Sequence, residues 1–388
     1  MQNATSDFYA IGSGGRLRAG LPSVLPPWVP ALGTVADVST NVLVDVRGSS
    51  AAAGLFSGWS GISYAPLLGD MGSFICMGGG HGDGSHNDIY RYDIATRVFS
   101  KIKNAAPIFI ASNTYVADPV TGWMWGDTGA TTVQVGEPFC AHFYSFAIVV
   151  PRSDSPYGSL LTPTRGSMPL AGQFATQQSH RFNLNGSATK WDMHGAPLTN
   201  RAQHGCSIFD SKRRRVVVLG DGPKSVASWT DPENEATGDL QFAGSYDAYY
   251  RIGGYHTAED LYMIVKYLGG LRLTVIDPVT GAVTHPTAVG DTPTEADEGA
   301  WDWVERWNSW VYYPGMGGNN IYQLKAPSNP RTDMWTWIKH TVTGTARARQ
   351  TNQGGPPYNR LRYNHPTQSV FWAPKVDEPV QAFRIPAP

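Results

Sequence analysis

The chain has 388 residues, a net charge of −1 and charged side chains at 16 % of its positions, well below the roughly 25 % of an ordinary soluble protein. It has no long basic run and no apolar stretch near the roughly 20 residues a spanning helix needs, so neither nucleic acid nor membrane insertion is expected. Its 43 glycines, 28 prolines, 13 tryptophans and 18 tyrosines disfavour long helices and suit short strands joined by tight turns.

Residues 1–48 read as an N-terminal extension. Their first part, MQNATSDFYAIGSGGRLRAG, lacks the basic start and apolar core of a secretion signal, so export would use another route such as lysis or virion assembly. Leu25–Leu32 (LPPWVPAL) is apolar and carries Trp28, and residues 38–48 alternate without an assigned role. The clearest unit follows over Gly61–Lys103. Ile62–Leu68 is extended and meets a Gly-Asp turn. Ser73–Met77 is a short apolar strand ending in Gly78-Gly79-Gly80. After a polar loop, Asn87–Asp93 alternates, and Ala95-Thr96 turns the chain into Val98–Ile102. Four strands and three turns in about forty residues make one blade of a β-propeller.

The glycine pair, then Asn87-Asp88-Ile-Tyr90-Arg-Tyr92-Asp93, Thr96 and Phe99, resembles the kelch repeat. Tyr312-Tyr-Pro-Gly-Met-Gly-Gly-Asn319-Asn320-Ile-Tyr322-Gln-Leu, followed by Trp335-Thr-Trp337, is a second copy. Leu271–Gly281 is a weaker third, and Arg360–Trp372 alternates in the same way. The resemblance to kelch and galactose-oxidase type propellers implies an all-β fold of four-stranded antiparallel blades. We expect one domain over 1–388, with blades starting near 61, 109, 203, 248, 298 and 358. Six blades is the expected number; seven is the alternative, because Pro151–Gly195 is long enough to hold another. The last blade has three strands before Pro388, so an N-terminal strand, expected at Leu25–Leu32, should close the ring and remove its open edge.

In such folds, the loop leading into each innermost strand and the loop between the second and third strands share one face, the usual ligand face. Here that face would collect His81, Asp83 and His86, whose spacing fits no common zinc pattern; a divalent metal there is the alternative to plain turn chemistry, and no cofactor is required. It would also collect His142, Tyr144, Arg201, His204, Arg251, Tyr255, His256, Glu295, Asp297, Glu298, Arg360 and Arg362. Trp59, Trp125, Trp229 and Trp301 lie beside expected turns and are candidates for stacking on sugar rings. Cys76, Cys140 and Cys206 are far apart and odd in number, which argues against a disulfide framework or a thiolate zinc site. Cys140-Ala-His142-Phe-Tyr144 is the nearest approach to the copper site of galactose-oxidase-like enzymes and is read as coincidence.

Two function classes follow. The first is a non-catalytic binding or structural propeller, such as a bacteriophage or phage-like virion component that contacts cell-surface glycan or neighbouring virion proteins; its location would be the virion or the extracellular space. The second is a polysaccharide lyase acting on a uronate polymer. Arg201 or Arg360 would neutralise the carboxylate, and His204, His256 or Tyr363 would take the C5 proton. A glycosidase ranks lower, because Glu295, Asp297, Glu298 and Asp302 are neighbours and seldom face one another across a substrate.

Overall fold

The computed structural model describes residues 24–47, 61–77, 88–104, 115–117, 124–126, 145–163, 179–199, 204–267, 270–294, 299–349, 357 and 359–388. Local turn chemistry explains much of its regularity. Asp93 ends a strand, and its Oδ1 accepts the Thr96 amide at 2.9 Å; Arg97 then donates to the Asp93 carbonyl at 2.8 Å. Asp231 repeats this with the Glu233 and Asn234 amides, and Asp277 with those of Val279 and Thr280. Each turn ends in a left-handed residue, Arg97 (φ 63), Glu235 (φ 61) or Gly281 (φ 75), which sends the chain back antiparallel. The aspartate-centred pattern in the sequence is therefore a repeated hairpin device.

These hairpins build six sheets, each carrying four antiparallel strands, arranged as a six-bladed β-propeller. Blade 1 comprises Ile62–Ala65, Ser73–Met77, Ile89–Asp93 and Val98–Lys103. Blade 2 comprises Ile148–Arg152, Ser155–Thr162, Ser179–Asn183 and Asp192–His194. Blade 3 comprises Cys206–Asp210, Arg215–Leu219, Lys224–Thr230 and Thr237–Tyr246. Blade 4 comprises Ile252–His256, Leu261–Tyr267, Leu271–Ile276 and Val283–Thr284. Blade 5 comprises Ala300–Val304, Ser309–Tyr313, Asn320–Lys325 and Trp335–Thr341, with Ala288–Gly290 added in parallel outside. Blade 6 comprises Leu361–Asn364, Ser369–Trp372, Gln381–Arg384 and Thr34–Asp37.

The structure corrects three expectations. The second blade begins at Ile148 rather than near 109; Tyr115–Ala117 and Met124–Gly126 form a separate two-stranded sheet. Pro151–Gly195 supplies three strands of that same blade, so no seventh blade arises from it. The closing strand is Thr34–Asp37, not Leu25–Leu32. Thr34 pairs with Arg384 and Asp37 with Gln381, and residues 24–33 lead up to that strand. Prolines at 26, 27 and 30 remove ladder donors from Leu25–Leu32, whereas Thr-Val-Ala-Asp has every amide. Trp28 still packs on the blade 6 core, its ring 6.4 Å from Phe371. Leu43–Arg47, inside the alternating stretch 38–48, is a short helix.

The cores lie between neighbouring sheets. Trp301, Trp310, Tyr312, Tyr322, Trp335 and Trp337 fill the space between blades 4 and 5 with tilted and edge-on rings. Each such side chain contributes on the order of 1.5–3 kcal/mol by burial. At the ends of the first strands the basic cluster Lys212–Arg215 is drawn into ion pairs. Arg213 and Lys212 hold Asp260 at 2.7 Å across the seam between blades 3 and 4, and Arg215 donates to the Tyr262 hydroxyl at 2.7 Å.

Candidate functional site

Each innermost strand starts at one edge of its blade, called the upper edge here. The antiparallel register brings the loop between the second and third strands to the same edge. In blade 3, Cys206 pairs with Leu219, so His204 and Asp221 meet just beyond the ladder. Their Nδ1 and Oδ2 atoms are 3.1 Å apart. In blade 4, Ile252 pairs with Val265 and Lys266 with Arg272. Arg251, Lys266 and Arg272 therefore form a row across three strands.

The period-2 alternation decides where that row points. Tyr262, Ile264 and Ile276 pack toward blade 3, while Met263, Val265, Leu273 and Val275 pack toward blade 5. Lys266 and Arg272 share the parity of the first set, and Arg251 that of Tyr255 and Gly253, which also lie against blade 3. The three cations thus line the upper end of the seam between blades 3 and 4. Arg251 donates to the Thr274 hydroxyl at 3.1 Å; burial pulls its pKa down, the nearby Asp247 carboxylate opposes this, and Arg272 adds to the depression.

The chain joining the two blades crosses this seam on a tight turn. Ala248 donates to the Gly220 carbonyl, and Arg251 donates back to the Ala248 carbonyl at 3.0 Å. Asp247 Oδ1 accepts the amides of Gly222 (3.0 Å) and Tyr249 (2.9 Å), fixing the turn to blade 3. The corner residues are Tyr249 and Tyr250. Tyr250 holds φ 53, a left-handed conformation usually left to glycine or asparagine and costing about 1–3 kcal/mol. The two rings stack with centroids 4.0 Å apart at 30°. The His204 ring meets both edge-on at 5.3 Å, and Lys266 Nζ lies over both, 5.7 and 5.6 Å from their centroids. Tyr249 remains 41 % exposed. The result is an open aromatic platform with a carboxylate-oriented imidazole and a row of cations.

Of the expected site residues among the described residues, His204 and Arg251 join this group. His256 lies at the opposite end of its strand, its Nδ1 3.9 Å from Glu305 and its ring 5.2 Å from Trp303. Tyr255 is likewise inside that strand and donates to Asp260 at 2.8 Å. Arg360 stands at the upper edge of blade 6 but is buried. Its Nη1 donates to the Pro374 carbonyl at 3.1 Å, the guanidinium lies 5.7 Å over Trp372, and desolvation, with Arg349 adding to it, pushes its pKa down to about 9. Tyr363 packs against Trp307 at 4.6 Å, with its hydroxyl taking an Arg306 donor. The lyase set of His204, His256, Arg360 and Tyr363 is therefore split between two edges and several blades. Trp301 is 1 % exposed and belongs to the core, which rules out stacking on a ligand. Trp229 is half-buried beneath Arg215, and a Cβ at Gly238 would come within 2.8 Å of its ring. A cavity of about 10 Å³ between Ile62, Phe74, Arg360 and Phe371 has room for a single water at most.

His81, Asp83, His86, His142, Tyr144, Arg201, Trp59, the Trp125 side chain, Glu295, Asp297 and Glu298 lie outside the described residues. Among the described residues no cluster of His, Cys, Asp and Glu is placed to hold a metal. Cys76 and Cys206 are buried thiols, and desolvation pushes Cys76 up to about 12. Sequence reasoning passed over Tyr249, Tyr250, Lys266 and Arg272. The adjacent tyrosines between two strands were the available signal.

No protein-family model matches the chain, and no curated protein matches it. The kelch resemblance thus has no sequence match behind it. Several solved structures are similar in shape. An auxiliary nutrient binding protein from Bacteroides ovatus is 9 % identical, with 90 % of this chain and 75 % of that one covered at a TM-score of 0.48. A protein of unknown function from Bacteroides thetaiotaomicron is 7 % identical, covering 90 % and 74 % at 0.47. A gluconolactonase from Xanthomonas campestris is 10 % identical, covering 92 % and 97 % at 0.44.

Proposed function

We propose that the protein is a saccharide-binding propeller whose ligand sits on the upper edge at the seam between blades 3 and 4. The observation that carries this reading is the Tyr249–Tyr250 stack, held at a strained left-handed corner and left open on Tyr249. Sugar rings present flat C–H faces to such aromatic surfaces, and His204, Asp221 and Lys266 surround them with hydrogen-bonding groups. The composition, poor in charge and rich in Gly, Ser, Thr, Asn and Trp, supports a wider setting as a phage-like virion component that meets cell-surface glycan or neighbouring virion proteins. The resemblance of two blades to kelch repeats supports the same class of scaffold. A glycan array with wild type and Tyr249→Ala tests the reading. Binders lost in the variant are expected; an array with no binder overturns it.

A second reading is β-elimination from a uronate polymer. One observation favours it: Asp221 is positioned to orient His204, as a general base requires. Ultraviolet absorbance of unsaturated uronate products, sensitive to His204→Gln, is its test. No product from alginate, pectin, ulvan or glycosaminoglycans excludes it.

A further inference from the structure

We propose that Asn185 is a self-modifying site, where the chain of blade 2 converts its own asparagine to aspartate and isoaspartate with water as the co-reactant. Asn185-Gly186 is the one Asn-Gly step in the 388 residues. It lies in the turn between Ser179–Asn183 and Asp192–His194, the third and fourth strands of blade 2. Asn185, Gly186 and Ser187 are exposed, while Leu184 and Trp191 on either side are buried in the core between blades 1 and 2. The turn is thus anchored at both ends and open to solvent at its tip.

The reacting groups are neighbours along the chain, so the step is intramolecular. Gly186 gives up its amide proton to hydroxide, and its nitrogen bonds to Asn185 Cγ. The Cγ–Nδ2 bond breaks, Nδ2 takes a proton from water and leaves as ammonia, and a cyclic imide remains. Water then opens either imide carbonyl. One route gives aspartate; the other gives isoaspartate, whose main chain runs through Cγ. Gly186 has no side chain, and nothing lies within 4 Å of where a Cβ would stand, so the approach is uncrowded. As the nitrogen adds, negative charge collects on Asn185 Oδ1. Two donors already meet that atom, the Ser187 amide at 3.0 Å and the Ser187 hydroxyl at 2.9 Å. They form a small oxyanion hole over the amide that is to be cleaved. The Asn185 amide in turn donates to Asn183 Oδ1 at 2.9 Å, which steadies the turn.

The two products act differently on the blade. Aspartate adds a negative charge at the tip. Isoaspartate also adds a carbon to the main chain and removes Cγ from the side chain, so the Ser187 bonds cannot form as before. Asp192–His194 is held by three residue pairs with Ser179–Arg181, and the longer turn should loosen this outer strand.

Peptide mapping by mass spectrometry of the folded protein, aged in mildly alkaline buffer, tests the site. Asn185 should convert ahead of every other asparagine and give both products. Ser187→Ala, which removes one of the two donors, should slow the conversion about tenfold in the folded protein and leave it unchanged in urea. Hydrogen exchange at residues 192–194 should quicken in the isoaspartate fraction but not in Asn185→Asp, which carries the charge without the extra carbon. An Asn185 that stays intact while other asparagines convert overturns the proposal. So does a folded Ser187→Ala variant that converts as fast as wild type. Unchanged exchange in the isoaspartate fraction overturns the effect on the outer strand.

Discussion

Arg362 and Asp302 join three blades through one guanidinium. Nη1 donates to Asp302 Oδ1 at 2.7 Å from blade 6 to blade 5, while Nε and Nη2 donate to the Ile62 carbonyl of blade 1 at 3.0 and 2.9 Å. Asp302 also accepts the Tyr363 amide at 2.7 Å. Burial raises the Asp302 pKa, and the Arg362 charge opposes that rise. Replacing Arg362 by Leu strands a buried carboxylate and a carbonyl at the ring's closing seam. A loss of about 3–5 kcal/mol in urea unfolding is expected, and the double variant Arg362→Leu with Asp302→Leu should lose less. A double variant that loses as much as the sum of the two single variants would show that the pair carries no coupling.

The strand Thr34–Asp37 closes blade 6 and also ties it to blade 5. Val35 donates to the Thr343 carbonyl, and Thr343 to that of Gly33, both at 2.9 Å. Gly344 follows with φ +111, and a Cβ there would stand 2.3 Å from the Val35 carbonyl oxygen. Gly344→Ala should destabilise the closure by about 1–3 kcal/mol and speed hydrogen exchange at residues 34–37 and 381–384 before other strands. Unchanged exchange there would contradict this role.

Trp301 and Tyr249 separate stability from binding. Trp301→Ala should cost about 3–5 kcal/mol, because it empties the centre of the blade 4–5 core. Tyr249→Ala, at an exposed corner, should cost under about 1 kcal/mol yet abolish glycan binding. Thermal melts alongside the array distinguish the two.

Stability should fall on the acid side in two stages. His194 and His256 are buried and His340 is half-buried, and desolvation holds each below the ordinary 6.5. The unfolded chain therefore binds those protons first, so their contribution is present above 6.5 and is lost as pH falls through the lower folded values. Asp260, held down chiefly by Arg213, and Asp37, held down chiefly by Arg347, contribute above their ordinary 3.8 and lose it at still lower pH. Urea midpoints from pH 8 to 3 should show the decline beginning near neutrality, and Asp260→Asn should flatten the last part of it. A midpoint that climbs between pH 6.5 and 5 would refute the histidine assignment.

Much of the architecture is legible in the chain because it is written in local chemistry. Asp93 and Asp277 cap their own turns within three residues, and the apolar run Ser73–Met77 and the alternation ending at Asp93 mark strands without reference to distant partners. Those local rules yielded blades, and the blades yielded the ring. The closing strand was misplaced because Thr34–Asp37 has no distinctive composition; only its pairing with residues 381–384 makes it a blade strand. The site was legible only in part for the same reason. His204, Asp221, Tyr249 and Lys266 span 63 positions and belong to two sheets, and no local pattern records that the register of each sheet delivers them to one seam. Sequence determined the turns and the strand periodicity, since both depend on neighbours along the chain. The tertiary structure alone decided that Trp301 is core while Tyr249 is open, because burial depends on which sheet lies opposite.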